Sequence, residues 1–325
     1  MPVIDVRSPA EFLSGHIPGA FNMPLFTNEE RAEVGTIYKQ SGKEMAVLRG
    51  LEFVGPKMAD FVRQAKKTAS DSHILVHCWR GGMRSGSMAW LLETSGLKTG
   101  VLKGGYKSFR NHVLESFTGS YNFHVVGGET GSGKTEILYE LAKMGEQIID
   151  LEELACHRGS SFGSIGQEMQ PRPEQFENNL FQALQKIDPA RRVWLEDESR
   201  SIGRVFIPGP IWEMKVAATC YRVRLPFEVR VQRLVKDYGN FPKEILAEAT
   251  LRIQKRLGGL ATSQALESLE NGDLAETARI TLRYYDKAYD FPQSTRKYEG
   301  VIFIDCEDGD PKKNAELILE NLKIR

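Results

Sequence analysis

The sequence predicts an α/β protein of two domains, each built on a mainly parallel sheet, the second with an added helical segment. Three observations predict it. Short apolar strand-like runs alternate with amphipathic helical runs along the chain, the pattern of βα units. Two glycine-rich loops each follow such a run and open a helix, one at residues 77–85 and one at 128–135. The length, 325 residues, suits two domains of ordinary size. The expected division is 1–118 and 119–325, with residues 115–120 as the linker.

In the first domain, residues 3–6 read as a short buried strand. Ser8-Pro9-Ala10-Glu11 reads as a helix start, with Ser8 as N-cap, Pro9 in the first turn and Glu11 at the third position. Residues 56–67 form an amphipathic helix. Residues 74–77 are a buried strand that delivers Cys78 to a loop, and 85–95 a helix ended by Gly96. A strand at 99–102 precedes Gly104-Gly105-Tyr106. In the second domain, strands are expected at 123–126, 147–150, 193–196, 217–225 and 301–305, with a helix at 135–144. Residues 242–289 read as helical with a break at Gly258-Gly259. Ligands of parallel sheets sit at the carboxyl ends of strands, where both loops fall.

Bulk properties narrow the class. Hydrophobic residues at 41% and charged residues at 26% are ordinary for a soluble globular chain. No apolar run is long enough for a membrane span, and the amino terminus lacks a secretory pattern. Cys78, Cys156, Cys220 and Cys306 are scattered without a CxxC, which argues against a disulfide framework or zinc site and for a cytoplasmic, reduced chain. The 43 basic and 43 acidic residues cancel, which counts against a strongly basic nucleic-acid binder but leaves room for a local patch. Residues 221–260 hold nine Lys or Arg against four Asp or Glu, read either as such a patch or as a solvated helix face.

His77-Cys78-Trp79-Arg80-Gly81-Gly82-Met83-Arg84-Ser85 has the makings of a nucleophile loop. Inward-facing backbone N–H groups and the next helix's N-terminus favour negative charge. Arg80 and Arg84 add full charges, and Gly81 and Gly82 let the backbone curl. All of this favours the reactive thiolate of Cys78. The 5–12 and 15–20 stretches and Gly104-Gly105-Tyr106 resemble the two signatures of rhodaneses over about residues 1–115. Five residues between Cys78 and Arg84, one more than the usual sulfurtransferase loop, match the spacing of cysteine phosphatases. The longer loop suits a tetrahedral phosphate-like donor.

Gly128-Glu129-Thr130-Gly131-Ser132-Gly133-Lys134-Thr135 is a complete P-loop in its required strand-to-helix setting, making the second domain P-loop NTPase-like. Lys134 is expected to reach terminal phosphates. Thr135 is expected on the magnesium side, with Asp150, Glu196 and Asp197 as candidate carboxylates and capping or surface charge as their alternative reading. Arg230 and Arg233 resemble the arginines of a small P-loop kinase helix.

A rhodanese-like domain followed by a P-loop domain resembles the tRNA 2-selenouridine synthase family across the whole chain. The stretches 28–42, 78–85, 157–163 and 196–203 carry the match. The resemblance implies that wobble 2-thiouridine of tRNA is S-geranylated with geranyl diphosphate and that selenophosphate then replaces the geranylthio group with selenium. It implies Cys78 as the selenium-handling residue, either a covalent carrier or a positioning thiolate. Gly50 is associated with the geranyl step, with an ordinary turn glycine as the alternative. Expected partners are tRNA and a selenophosphate-producing enzyme, with no membrane. Geranyl diphosphate or a nucleotide is expected at the P-loop. Expected tRNA or phosphate contacts are Arg158, Arg200, Arg204, Arg230, Arg233 and Arg256, with help from Arg252 and Lys255. The rival readings are a sulfurtransferase or cysteine phosphatase fused to a P-loop small-molecule kinase, and a non-catalytic nucleotide-gated module.

Overall fold

A computed structural model describes residues 1–69, 72–293 and 298–323. The chain separates into two compact units, 1–117 with 174–182, and 118–173 with 183–325. A single cut after residue 118 does not describe the return of 174–182 to the first unit. Among the described residues, no helix is long and apolar enough to cross a membrane.

The first unit holds strands β1 (Val3–Asp5), β2 (Phe21–Asn22), β3 (His73–His77) and β4 (Lys98–Val101). They form a sheet of order β2-β1-β3-β4 in which every pairing is parallel. Ile4, Val6, Ile74 and Val76 are fully buried in the core, as expected for apolar strands covered on both faces. The helix Pro9–Ser14 begins where the capping pattern placed it, and Glu11 accepts the Ser8 N–H at 3.0 Å. The expected helix at 56–67 runs Met58–Thr68, because Pro56 falls in a 3₁₀ turn, Gly55–Lys57, that leads into it. The helices Asn28–Gln40 and Lys43–Val54 pack as a hairpin.

An ion pair lies at the centre of this unit. Arg7 and Asp5 are 1% and 0% exposed. The Arg7 guanidinium donates to Asp5 Oδ2 at 2.6 Å and to the Gly15 carbonyl at 2.7 Å. It also stacks over the Tyr106 ring, 3.7 Å from its centroid. The Tyr106 hydroxyl donates to Glu174 at 2.7 Å and accepts from Asn178 at 2.8 Å. These contacts attach 174–182 to the first unit.

In the second unit, β5 (Asn122–Gly128), β6 (Gln147–Ile149), β7 (Arg192–Glu196), β10 (Thr219–Arg224) and β11 (Gly300–Asp305) form a sheet of order β11-β10-β5-β7-β6. Every pairing is again parallel. A two-stranded antiparallel hairpin, β8 (Ser201–Ile202) and β9 (Val205–Phe206), lies outside it. β5 is the middle strand and runs into the P-loop, and the helix Lys134–Lys143 follows. Ile137, Leu138 and Leu141 bury that helix against Val126, Trp194 and Tyr221. The helical segment is more broken than the sequence suggested. It consists of Lys243–Arg252, Gln254–Leu257, Gly259–Glu270 and Leu274–Gln293, with interruptions at Ile253, at Gly258 and around Gly272.

Removing one partner of a buried ion pair leaves the other charge unpaired in the interior. Arg7→Met is therefore expected to destabilise the first unit by about 3–5 kcal/mol. Urea unfolding of the full chain checks this, and an unchanged first transition would show that the pair is dispensable.

Candidate functional site

Cys78 follows β3 and is 4% exposed. The Ser85 hydroxyl lies 3.3 Å from its sulfur, at the start of the helix Met83–Thr94. Burial alone would push the thiol up. The Ser85 hydroxyl and the backbone N–H groups of Ser85, Arg80 and Gly82 outweigh that and bring it below the ordinary thiol value. The strongest stabilising influences are therefore short-range donors, where the sequence pointed equally to arginine charge. Arg80 and Gly82 are exposed, as are Trp79 and Met83, so the loop presents its outer face to solvent.

Arg84 is paired with a carboxylate. Its guanidinium meets both oxygens of Glu11, at 2.7 and 3.2 Å. Glu11 was legible only as a helix cap, and its second role joins residues far apart in sequence.

A second loop braces the first. The Cys78 and Trp79 carbonyls accept the N–H groups of Tyr106 and Lys107, each at 2.9 Å. Gly105, at φ +60°, packs so closely that a Cβ there would lie 2.4 Å from the Cys78 oxygen. This is the physical reason for the Gly104-Gly105-Tyr106 stretch.

In the second unit, Lys134 Nζ donates to the Gly128 carbonyl at 3.3 Å, and the Ser132 hydroxyl is buried with no hydrogen-bond partner among the described residues. Thr135 Oγ1 donates to Glu196 at 2.6 Å and lies 3.3 Å from Glu152. Among the described residues, no group of three or more His, Cys, Asp or Glu could hold a metal ion. Thr135 and Glu196 would hold magnesium only as partial ligands, the rest of its shell having to come from a bound ligand and water. Asp150 and Asp197, expected on that side, line the same cleft as Thr135 and have protein partners as well. Asp150 caps the helix Leu151–Ala155 and accepts from Tyr139 at 2.8 Å. Asp197 faces buried Lys215 at 3.4 Å and the Tyr298 hydroxyl.

A cleft of about 560 Å³ opens beside the P-loop, and its walls include Lys134, Glu152, Arg158, Glu198 and Arg233. The sequence stretches 157–163 and 196–203 thus meet at this cleft. Arg233 pairs with Glu136 and lies across Gly133. Arg158 stands over the Tyr238 ring.

Arg230 corrects the expectation of a tRNA contact. It is 3% exposed and bound to Asp286 at 2.8 Å, to the Thr130 carbonyl at 3.2 Å and to Glu129 at 3.1 Å, so it holds the P-loop in shape. Arg200, Arg204, Arg252, Lys255 and Arg256 are exposed. Gly50 is buried on its helix, where a Cβ would come 3.3 Å from Phe26, so it is a packing position rather than a turn.

The sequence reading missed Glu152, although it stands in the acidic run that follows β6. Burial pushes its carboxyl up to about 8, with help from the charge of Glu198 and partial opposition from Lys134. Its folded value lies above its unfolded value, so between these the folded state binds more protons. This contribution to stability is full below the unfolded value and is lost as pH rises towards 8. Glu152→Gln is therefore expected to raise the melting temperature at pH 8 more than at pH 5 in ligand-free protein. An equal change at both pH values would count against a proton held there.

Residues 1–112 match the profile of the rhodanese-like domain, and residues 121–309 match that of the tRNA 2-selenouridine synthase AAA domain. A tRNA 2-selenouridine synthase of Bdellovibrio bacteriovorus is 36% identical over 311 residues, covering 85% of this chain and 81% of that protein. One from Shewanella denitrificans is 34% identical over 341 residues, covering 93% and 90%. One from a Sulfurovum species is 35% identical over 340 residues, covering 93% and 91%. With both domains matched in order and relatives aligned over most of their length, the chain belongs to the tRNA 2-selenouridine synthase family.

Proposed function

We propose that this protein converts wobble 2-thiouridine of tRNA to 2-selenouridine in the cytoplasm, by S-geranylation with geranyl diphosphate and then selenium transfer from selenophosphate. The observation that carries the reading is the Cys78 thiol, held below its ordinary value by Ser85 and loop N–H donors within a five-residue anion loop. A tetrahedral selenophosphate suits such a loop, and a thiolate is the soft group that selenium chemistry asks for. S-alkylation converts the thiocarbonyl sulfur into a better leaving group, which lowers the barrier to substitution at the pyrimidine carbon. A selenophosphate-producing enzyme would supply the donor.

The P-loop takes the diphosphate of the prenyl donor, with Lys134, Arg158 and Arg233 available to its oxygens. A nucleotide at the P-loop is the second reading, favoured by a wall that also carries Glu152 and Glu198 and the rings of Tyr139, Tyr238 and Tyr285. Gly50 contributes to the geranyl step only through the packing of Phe26.

Cys78→Ser is expected to abolish 2-selenouridine while leaving geranylation largely intact. Nucleoside mass spectrometry of tRNA from cells carrying the variant checks this, with S-geranyl-2-thiouridine accumulating. Normal 2-selenouridine there would end the reading.

Exposed Arg200, Arg204, Arg252, Lys255 and Arg256 form the proposed tRNA surface. Each phosphate contact releases counterions, so Arg200→Ala or Arg256→Ala is expected to weaken tRNA binding and lower the log–log salt slope by about one. Binding measured across a salt series decides, and an unchanged affinity and slope in both variants would move the tRNA elsewhere.

A further inference from the structure

The Cys78 loop carries a fixed arginine whose charge is already answered. Glu11 sits at the third position of the helix Pro9–Ser14, and one of its oxygens accepts the Ser8 N–H at 3.0 Å. The same carboxylate takes two donors from Arg84, at 2.7 and 3.2 Å, and Arg31 lies 3.8 Å away. Arg84 immediately precedes Ser85, whose hydroxyl meets the Cys78 sulfur. Burial works against the Glu11 charge, but Arg84, the Ser8 N–H and Arg31 together hold the carboxyl below its ordinary value. Glu11 is therefore ionised beside the loop at neutral pH. The helix cap alone does not require that charge, because glutamine serves equally well at the third position.

We propose that Glu11 is a positioning residue for the cysteine loop: it fixes the orientation of the Arg84 guanidinium and offsets the charge that Cys78 experiences. A guanidinium held from one side keeps its remaining N–H donors pointed in one direction, which a tetrahedral oxyanion can meet in a defined pose. An untethered arginine would bind the same anion in several poses. The other charged groups near the loop include Arg80 on the loop itself, Lys107 in the bracing turn, Arg31 beside Glu11 and the buried pair of Asp5 and Arg7 next to His77; His77 is held neutral by burial. All of these stay unchanged in the variants below.

The test is the pH dependence of iodoacetamide alkylation at Cys78 in the full chain, followed by peptide mass spectrometry. Glu11→Gln keeps the cap and loses the charge, so the apparent thiol pKa is expected to fall by about half a unit or more. Glu11→Ala, which loses cap and charge together, is expected to titrate as Glu11→Gln does. Glu11→Asp keeps the charge and is expected to stay near wild type. An alkylation profile unchanged in both Glu11→Gln and Glu11→Ala would overturn the proposal, as would an equal fall in Glu11→Asp. A second readout rests on the selenium-transfer reading. There Glu11→Gln is expected to lower kcat about tenfold with little change in KM for selenophosphate, as misorientation rather than lost binding predicts. If the wild-type protein transfers no selenium, that reading fails, while the alkylation profile still decides the role of Glu11.

Discussion

An anion loop must hold several backbone N–H groups pointing the same way even with nothing bound, and its own few residues cannot do this. Each unit braces its loop from behind. In the first, Gly105 approaches the Cys78 carbonyl more closely than any side chain would allow, and the next two N–H groups bind the loop's carbonyls. Tyr106, fixed there, lies on the Arg7 guanidinium, and Arg7 is bound to Asp5. A chain of contacts thus runs from a buried ion pair in the sheet to the curvature of the Cys78 loop. In the second unit Arg230 plays the bracing part. It ties Glu129 and the Thr130 carbonyl to Asp286 on the helix Leu274–Gln293.

The two loops differ in how they treat charge. The cysteine loop gathers neutral donors around the sulfur and keeps Arg84 paired with a carboxylate. The P-loop is surrounded by carboxylates. Burial, together with the charge of Glu152, pushes Glu196 well above its ordinary value, and Lys134 is held protonated against burial by Glu198, Glu152, Glu196 and Asp197. A phosphate entering such a cleft meets both a cation and several acids. It binds well only if protons stay on those acids or a divalent cation enters with it.

Much of this was legible in the sequence because it is local. The strand before each loop, the glycines within it, the Ser8 cap and the helix after the P-loop are set by neighbours a few residues apart. What the sequence hid depends on distant pairing. The attachment of 174–182 to the first unit rests on hydrogen bonds to Tyr106, Arg110 and His16. The hairpin of β8 and β9 is two residues per strand, too short for any alternation to register. Glu11 carried a complete local explanation as a cap, which concealed its contact with Arg84, 73 residues away in sequence.

The same distinction changes how the basic stretch 221–260 should be read. Counting charge in a window treats every arginine as if it faced solvent. Arg230 is buried and answered by two carboxylates, and Arg233 is paired with Glu136 across the P-loop. Arg158, grouped with them from the sequence, borders the cleft beside the P-loop. These three lie at the P-loop or along its cleft. The exposed residues Lys255 and Arg256, with Arg200 and Arg204, have charge to offer a polyanion, and Arg252, also exposed, shares its charge with Glu248. A chain of zero net charge can still attract tRNA, because the field outside depends on which charges remain unpaired at the surface, not on their sum.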